Sequence, residues 1–381
     1  MPRPVPVALI GQQFMGRAHS NAYSQAARFF DLPREPVRHT ICGRDEASLK
    51  AFAERWGWAH TTTRWQDLAE DDAIELVDVS TPNDLHRAPA IRMLEAGKHV
   101  ACEKPLAGTL DDARAMRDAA RKSKARTFVW FNYRRCPAVA HAFGLMRKKK
   151  LGRVFHVRAH YLQSWGGPET PMAWRFRKKR AGSGAHGDLN AHSVDLARFL
   201  MGEEIAEVHG AVARTFVKER RDAVTGKQAK SDVDDCVLFN ASFQSGATAS
   251  FEASRLATGH LNRNFIEING EKGALRFDFE NMNVLWVCDD EPGPESNGWR
   301  RVMCTSGEHH PYVGNWWPDA HLIGYEHGFA NMVADMMRAL AGKKPAVPLP
   351  DFEDAYQTQR VLEAALVAAR ERRSVKLSTI R

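Results

Sequence analysis

The chain has 381 residues, a formal charge of +8 and a hydrophobic fraction of 44%. This length favours two globular domains over one, and no apolar run approaches the roughly 20 residues that span a bilayer, so no membrane partner is expected. Two basic runs, residues 147–150 and 177–180, lack interleaved aromatic residues, which argues against a nucleic-acid partner.

Short apolar strands alternate with helix-like stretches through the first third of the chain. The predicted strands are residues 5–10, 37–42, 74–80, 99–102 and 126–131, and the predicted helices are residues 18–29, 46–56, 88–96 and 111–122. Alternation with short links is typical of a parallel sheet covered by helices on both faces. Residues 1–130 are therefore predicted to form a doubly wound α/β domain.

The rest of the chain has longer strands separated by turn signals. The predicted strands are residues 153–163, 206–217, 236–243, 248–257, 264–269 and 274–279, the predicted helices are residues 189–201, 326–340 and 352–370, and the charged residues 218–230 are a predicted exposed loop. Strands without intervening helices indicate antiparallel pairing. We predict that residues 131–381 form an α+β domain with a large, mainly antiparallel open sheet, whose C-terminal helix could pack back on the first domain.

The six cysteines occur singly, with no Cys-x-x-Cys pair. This argues against a metal site and a disulfide framework, and it predicts reduced, structural thiols. The N-terminal residues lack the charged and apolar pattern of a secretory signal, so a cytoplasmic protein is expected.

A glycine-containing turn follows the first predicted strand. It reads Gly11-Gln-Gln-Phe-Met-Gly16, which keeps the first and third glycines of G-x-G-x-x-G and places Gln13 at the second, where it is expected to crowd a phosphate. The third glycine of that pattern lets helix and strand pack closely, and the helix N-terminus offers N–H groups to a pyrophosphate. Two glycines alone would also suit a simple turn, but the position in the first α/β unit predicts a dinucleotide-binding Rossmann domain. Its predicted contacts here are Gly11, Gln13, Phe14, Met15 and Gly16.

The second predicted strand ends without the acidic residue that usually binds the adenosine ribose. Gly43 occupies that position, and Arg44 and Asp45 follow. The lack of an acid removes repulsion against a 2′-phosphate, with which Arg44 could pair. Arg44 could equally stack on adenine, or Asp45 could bind the ribose. Arg44 is a predicted cofactor contact, and the choice between NAD and NADP stays open.

Two further polar segments follow strand ends at the same edge of the predicted sheet. Ligands of open α/β sheets bind beyond the carboxyl ends of the strands, so both segments are expected to face the cofactor. Lys104 would place a cation where a substrate oxygen meets the nicotinamide, although a surface lysine before a turn proline would look the same. The predicted cofactor contacts in these segments are Thr81, Pro82, Asn83, His86, Glu103 and Lys104.

A third polar element opens an apolar helix in the second domain. Asp188 and His192 are four residues apart, so they are expected to project from one helical face. Asp188 would also serve as an N-cap, and His192 could be a buried core histidine. Their occurrence together with Lys104 and a nucleotide-binding domain favours a catalytic site.

These motifs resemble those of the glucose–fructose oxidoreductase / inositol dehydrogenase / MocA family. The matching segments are Gly11…Gly16-Arg-Ala-His19, Thr81-Pro-Asn83, Glu103-Lys-Pro105, Asp188…His192 and Glu267-Ile-Asn-Gly-Glu-Lys-Gly273. The resemblance spans nearly the whole chain. Three further segments are most similar to members that oxidise an anhydro-sugar with NAD: Phe131-Asn-Tyr-Arg-Arg135, Tyr161-Leu-Gln-Ser-Trp165 and Trp174-Arg-Phe176.

The resemblance implies an NAD(P)-dependent dehydrogenase that oxidises a secondary hydroxyl of a sugar or anhydro-sugar, levoglucosan-like or inositol-like, to a ketone. Lys104, Asp188 and His192 match the family's catalytic residues. His192 would be the general base, because imidazole titrates near working pH. Lys104 would stabilise the developing oxyanion, and Asp188 would orient the hydroxyl or the imidazole. The implied cofactor is NAD, with NADP as the alternative, and it would carry the redox step.

The resemblance also implies where substrate and partner copies bind. Tryptophan faces suit the apolar C–H faces of sugars, and arginine suits their hydroxyls. The predicted substrate contacts are Tyr133, Trp165, Arg175, Asp188, His192, Trp317 and His327. A homodimer or homotetramer is expected to assemble through the exposed face of the second-domain sheet.

Two other functions fit the same family. Some members cleave glycosides by oxidising a hydroxyl, eliminating the aglycone and reducing the product back, with tightly held NAD. Others are non-enzymatic sensors that bind the dinucleotide and a protein partner. The presence of Lys104, Asp188 and His192 together argues against the sensor, which has no use for all three.

Overall fold

The computed structural model describes residues 2–289 and 293–381. A six-stranded sheet contains β1 (Arg3–Ile10), β2 (Arg34–Cys42), β3 (His60–Thr62), β4 (Leu76–Val79), β5 (His99–Cys102) and β6 (Thr127–Val129). Its spatial order is β3-β2-β1-β4-β5-β6, and all neighbouring strands are parallel. The predicted Rossmann sheet is confirmed.

Ten α-helices lie in the described part of the chain. They are α1 (Phe14–Phe29), α2 (Glu46–Trp56), α3 (Asp67–Glu70), α4 (Arg87–Glu95), α5 (Leu110–Lys122), α6 (Pro137–Arg147), α7 (Lys178–Ala181), α8 (Ala191–Met201), α9 (Tyr325–Leu340) and α10 (Phe352–Glu371). Local sequence explains α5 well. Thr109 caps it by accepting the Asp112 N–H, and Leu110, Ala113 and Met116 recur every three residues on its buried side, as an amphipathic helix requires.

The chain divides into two compact units, each built from two segments. The first unit contains Met1–Arg135 and Tyr312–Tyr356, and the second contains Cys136–Pro311 and Gln357–Arg381. This division differs from the single boundary predicted near residue 130. A late segment of the sequence therefore belongs to the Rossmann unit.

The late helix α9 packs on α1 inside the first unit. Phe14 and Tyr325 stack with ring centroids 6.5 Å apart, and the rings of Phe29 and Trp316 lie 4.6 Å apart. The second contact involves Trp316 in the segment before α9. A single boundary cannot include this late segment in the first unit, because α1 and α9 are nearly 300 residues apart in sequence.

The second unit contains a nine-stranded sheet and a separate hairpin. The strands in chain order are β7 (Val154–Leu162), β8 (Ile205–Arg214), β9 (Glu219–Arg221), β10 (Gln228–Lys230), β11 (Cys236–Phe243), β12 (Thr248–Ser254), β13 (Arg263–Gly270), β14 (Gly273–Asp278), β15 (Val284–Asp289), β16 (Arg300–Met303) and β17 (Val375–Lys376). The sheet order is β16-β15-β14-β13-β7-β12-β11-β8-β17, and among the strands that the structure describes in this sheet only β7 and β12 pair in parallel. The predicted mainly antiparallel sheet is confirmed.

The prediction of an exposed loop at residues 218–230 is wrong in part. β9 and β10 form the hairpin within it, and Arg220 is fully buried. Its guanidinium donates to the Gly166 carbonyl at 2.7 Å, lies 3.5 Å from an oxygen of Asp235 and stands 3.7 Å from the ring centre of Phe176. A charged segment suggests a solvated surface, but a paired arginine can be buried.

All six cysteines are free thiols, as predicted. Burial raises the pKa of the Cys42, Cys136 and Cys304 thiols to about 12, so these groups are protonated and unreactive. Among the described residues, no helix has both the length and the apolar character needed to cross a membrane.

Candidate active site

The turn after β1 forms a narrow cradle. Gly11 has a φ of +118°, and a Cβ at this position would lie 2.7 Å from the hydroxyl of Ser80. A Cβ on Gly16 would overlap the carbonyl oxygen of Gly11. Only glycine satisfies both positions, which brings the start of α1 close to the carboxyl end of β1.

The N-terminus of α1 faces this cradle without a cap. Gln13 is the N-cap residue with an extended backbone, no side chain caps the helix, and its first turn contains no acidic residue. The side chains of Gln13 and Phe14 are exposed, and Met15 is half-buried. The positive end of the helix is therefore available to an anion. The residues present fit the pyrophosphate of a dinucleotide.

The end of β2 places Arg44 on the surface. Its side chain is exposed, whereas Asp45 caps α2 by accepting the Ser48 N–H at 2.8 Å. Hydrogen bonds from Ser48 lower the pKa of Asp45. Asp45 is thus already engaged with its own helix, and Arg44 stays a predicted cofactor contact.

The segment after β4 carries the predicted contacts Thr81, Pro82 and Asn83, all half-buried. His86 lies behind them with no exposed surface. Its Nε2 and Nδ1 lie 2.8 Å and 3.2 Å from the carbonyl oxygens of Thr81 and Leu106, and burial lowers its pKa. His86 thereby links the loops after β4 and β5, and its contact with the cofactor stays a prediction.

The segment after β5 carries Glu103 and Lys104. The side chain of Glu103 is 6% exposed, and its Oε2 accepts the Lys104 N–H at 2.9 Å. Both oxygens of Glu103 face protein groups, and its contact with the cofactor stays a prediction. Lys104 is half-buried just after the carboxyl end of β5, and its catalytic and cofactor contacts stay predictions.

A buried network that was not among the predicted site features lies behind the end of β5. Nδ1 of His19 is 3.0 Å from Asp78 Oδ2, and Nε2 of His19 is 3.1 Å from Glu103 Oε1. The Tyr23 hydroxyl donates to Asp78 Oδ2, and Trp130 Nε1 donates to Asp78 Oδ1, both at 2.9 Å. The His19 ring stacks on Trp130 with centroids 3.9 Å apart.

The charge state of His19 follows from its partners. Burial lowers its pKa, but attraction to Asp78 and hydrogen bonds to Asp78 and Glu103 outweigh burial and raise the pKa to about 9. His19 is therefore an imidazolium at neutral pH. Two signals could have revealed the network: an aspartate inside the otherwise apolar β4, and a histidine in the segment that follows the glycine turn.

Three predicted substrate contacts lie elsewhere in the first unit. Tyr133 is buried in the turn after β6. Trp317 is 43% exposed and makes an edge contact with Phe29. His327 is buried, and its Nδ1 accepts the Gly324 N–H at 3.0 Å at the start of α9. His327 thus stabilises its own helix end, and substrate contact by these three residues stays a prediction.

Asp188 lies in a π-helical turn, His186–Asn190, that continues into α8. The helix begins before Asp188, so the alternative that Asp188 is its N-cap is wrong. Asp234 occupies this end instead, since its oxygens accept the His186 and Gly184 N–H groups at 2.7 Å and 2.8 Å. π-Helical turns occur frequently at functional sites.

His192 lies in the first turn of α8 and is 5% exposed. Its ring centroid is 5.7 Å from that of Tyr161 on β7. The hydroxyl of Tyr161 donates to Asn262 at 2.7 Å. The second unit thus holds His192 against a polar aromatic side chain rather than in a purely apolar core.

Arg255 directly follows β12 and was not predicted as a site residue. Its Nη2 donates to Asp188 Oδ2 at 3.0 Å, and its Nη1 donates to the Arg175 carbonyl at 3.2 Å. The Arg255 side chain is 1% exposed and that of Asp188 is 25% exposed. Arg255 continues the buried alternation of Phe251 and Ala253, and a charge at such a core-facing position was the available signal.

Two predicted substrate contacts surround this ion pair. The guanidinium of Arg255 stands 5.1 Å from the ring centre of Trp165, which is 40% exposed. Arg175 is half-buried with its guanidinium over Trp174 at 4.5 Å. The structure therefore brings Trp165, Arg175 and Asp188 together around Arg255.

Two family models match the chain. Residues 5–131 match the model described as oxidoreductase family, NAD-binding Rossmann fold, and residues 139–276 match the GFO/IDH/MocA C-terminal domain. Levoglucosan dehydrogenase of Pseudarthrobacter phenanthrenivorans is 38% identical over 378 residues, which cover 95% of both chains.

Solved structures resemble the whole chain. An oxidoreductase domain protein from Kribbella flavida superposes with a TM-score of 0.94 at 48% identity, covering 99% of this chain and 100% of that one. Levoglucosan dehydrogenase in complex with NADH and levoglucosan superposes with a TM-score of 0.93 at 38% identity, covering 98% and 99%.

The uncapped cradle of the first unit and these matches define an NAD-binding oxidoreductase. The chain belongs to the GFO/IDH/MocA oxidoreductase family. The resemblance inferred from the sequence motifs is confirmed, as is NAD as the cofactor of the Rossmann unit.

Proposed function

We propose that the protein is an NAD-dependent dehydrogenase that oxidises a secondary hydroxyl of a sugar or anhydro-sugar to a ketone. The observation that carries this proposal is the Asp188–Arg255 pair beside the exposed ring of Trp165. A fixed carboxylate next to an aromatic face suits a ligand with hydroxyl groups and apolar C–H faces. The similarity to levoglucosan dehydrogenase along 95% of both chains supports an anhydro-sugar as substrate.

The cofactor would be held by the turn Gly11–Gly16 and by the segments that contain Arg44, Asn83 and Lys104. NAD, when bound, supplies the nicotinamide that accepts hydride. The exposed guanidinium of Arg44 would contact the adenosine end. The carboxylate of Asp45 already caps α2. The oxidation assay with NAD and with NADP decides between the two cofactors.

Three side chains would carry out proton transfer, oxyanion stabilisation and substrate orientation. His192 would take the proton of the reacting hydroxyl at a ring nitrogen, because a carbinol carbon releases hydride readily only as its oxygen becomes an alkoxide. The Lys104 ammonium would donate a hydrogen bond to that oxygen as negative charge develops. Asp188 would accept a hydrogen bond from the substrate and orient it. These roles rest on the family resemblance.

The test is an oxidation assay with matched variants. The protein is incubated with levoglucosan, myo-inositol or glucose, separately with NAD and NADP, and reduced nicotinamide is followed by absorbance. Lys104→Ala and His192→Ala should lose turnover. Lys50→Ala and His309→Ala change the same residue types at exposed positions and should retain it.

Other outcomes would favour the other functions. Cleavage of aryl glycosides by protein that carries bound NAD, without net reduction of NAD, would favour the glycosidase. NADH binding with neither reaction would favour the sensor. Full turnover in Lys104→Ala or His192→Ala would contradict the assigned catalytic roles.

We also propose that the protein forms a homodimer or homotetramer through the second-unit sheet. Val212 and Leu238 are paired in register on β8 and β11, and they are 46% and 42% exposed. Neighbouring exposed apolar residues often mark an interface. Light scattering should give a mass above that of one chain for the wild type and a lower mass for Leu238→Glu. A monomeric wild type would contradict the proposal.

A further inference from the structure

We propose that His19, Asp78 and Glu103, here called the buried triad, position Lys104 at the carboxyl end of β5. This inference rests on the proposed catalytic role of Lys104. The ring nitrogens of His19 and the carboxylate oxygens of Asp78 and Glu103 face groups of the protein, so each side chain would act through Lys104.

The link between the triad and Lys104 is the carboxylate of Glu103. Its Oε1 faces His19 Nε2 at 3.1 Å, and its Oε2 accepts the backbone N–H of Lys104 at 2.9 Å. The Glu103 N–H itself donates to the Val79 carbonyl at 2.9 Å, which continues the ladder of β4 and β5. The carboxylate therefore bridges the interior of the first unit and the first residue of the loop.

The geometry fixes the protonation of the triad. Both ring nitrogens of His19 face carboxylates. A neutral imidazole has one N–H and would turn a lone pair toward one of those carboxylates, so both nitrogens must carry protons. Trp130 and Tyr23 donate to the oxygens of Asp78. All four carboxylate oxygens of the triad thus have donors.

Every element around His19 supports this arrangement. Tyr23 on α1 and Asp78 on β4 are polar, and Phe329 on α9 adds an apolar wall with its ring 5.8 Å from His19. Burial keeps the pKa of Cys102 on β5 well above its usual value, so this thiol is neutral. A buried network of charged and hydrogen-bonded side chains of this kind is rigid. A shift of its charges would be transmitted to the Lys104 backbone.

The first test is Glu103→Gln, which keeps the shape and removes the charge. Glu75→Gln is the matched control, because Glu75 is bonded to Arg34 at the opposite end of β4. We expect kcat with the sugar to fall on the order of 10- to 100-fold in Glu103→Gln, since small displacements of a catalytic group cost this much. The KM for NAD should stay within about twofold, and Glu75→Gln should keep both values.

The second test does not depend on turnover. Hydrogen exchange at the Lys104 amide should accelerate at least about tenfold in Glu103→Gln and in His19→Gln, and should be unchanged in Glu75→Gln. In 15N-histidine spectra of the wild type, both His19 nitrogens should be protonated at neutral pH. His19→Gln serves as the second variant if Glu103→Gln does not fold.

The outcomes separate the two proposals. A fall in kcat together with faster exchange at Lys104 supports the inference. Unchanged kcat in Glu103→Gln and His19→Gln, or unchanged exchange at Lys104, overturns it. Retained turnover in Lys104→Ala would instead overturn the proposed function, whatever the exchange shows.

Discussion

Replacing Arg255 with methionine keeps the apolar stem and removes the guanidinium that holds Asp188. The change deletes a charge-assisted hydrogen bond of 3.0 Å to Asp188 and a hydrogen bond of 3.2 Å to the Arg175 carbonyl. A hydrogen bond to a charged group contributes about 1.5–3 kcal/mol. Because the Asp188 side chain is 25% exposed, water can replace part of the lost partner, and the lower end of about 1.5–2 kcal/mol applies.

This free energy converts into a rate. At about 1.4 kcal/mol for each factor of ten, kcat/KM for the sugar should fall roughly 10- to 30-fold in Arg255→Met. The KM for NAD should not change, because the pyrophosphate cradle is built from residues 11–16. The assay is steady-state reduction of NAD with the sugar that the wild type oxidises.

The control is Arg263→Met, which removes an ion pair of 2.9 Å to Asp278 in the same sheet. Arg263 is 33% exposed, and surface pairs of this kind contribute about 0–1 kcal/mol. Its kcat/KM should stay within about twofold of the wild type. An Arg255→Met enzyme with unchanged kcat/KM, or an equal loss in both variants, would refute the role of Arg255.

Three further predictions follow from other contacts. Gly16→Ala places a methyl group against the Gly11 carbonyl and should cost about 1–3 kcal/mol; a lower melting temperature and weaker NADH binding in a fluorescence titration would bear this out, and unchanged values would contradict it. The pKa of His19 is raised from 6.5 to about 9. Its contribution to the free energy of unfolding, on the order of 3 kcal/mol, is therefore fully present below pH 6.5 and is lost as pH rises through about 9. Urea unfolding of the wild type should show this slope and His19→Gln should lack it, whereas equal slopes would count against the assignment. Arg220→Met removes the buried cation that faces Asp235, which keeps only the Phe216 and Val217 N–H groups, at a cost of about 3–5 kcal/mol; limited proteolysis should then cut first in residues 218–230, and an unaltered digestion pattern would argue against burial of Arg220.

Much of the fold could be predicted because local signals coincide with it. The predicted helix at residues 46–56 matches α2, where Asp45 caps the start and Gly57 ends the helix in a left-handed conformation. The predicted strands at residues 99–102 and 236–243 match β5 and β11. The residues that set the boundaries of these elements lie within the elements or directly beside them.

Predictions failed where local signals were missing or misleading. α1 begins at Phe14, four residues before the predicted start. The start was misplaced because no capping side chain marks the N-terminus of this helix. The hairpin β9–β10 was hidden in a run of charges because Arg220 finds its partners inside the second unit.

The same difference between local and distant signals applies to the candidate site. The glycine turn could be predicted from spacing within six residues. The buried triad and the Arg255–Asp188 pair could not, because His19 and Glu103 are 84 residues apart and Arg255 and Asp188 are 67 residues apart. Sequence patterns reveal which side chains are polar, but the pairing of distant side chains appears only in the folded chain.

Because the first unit is built from two segments that are distant in sequence, its second segment leaves the ribosome long after its first. Roughly 180 residues separate Arg135 from Tyr312, and at about 5–20 residues per second their synthesis takes roughly 10 to 35 s. During this delay the side of α1 that will meet α9 and the segment before it, including Phe14 and Phe29, lacks these partners. The nascent chain therefore displays an apolar helix surface for tens of seconds, a target for ribosome-associated chaperones, and a chain truncated before Tyr312 would display it permanently.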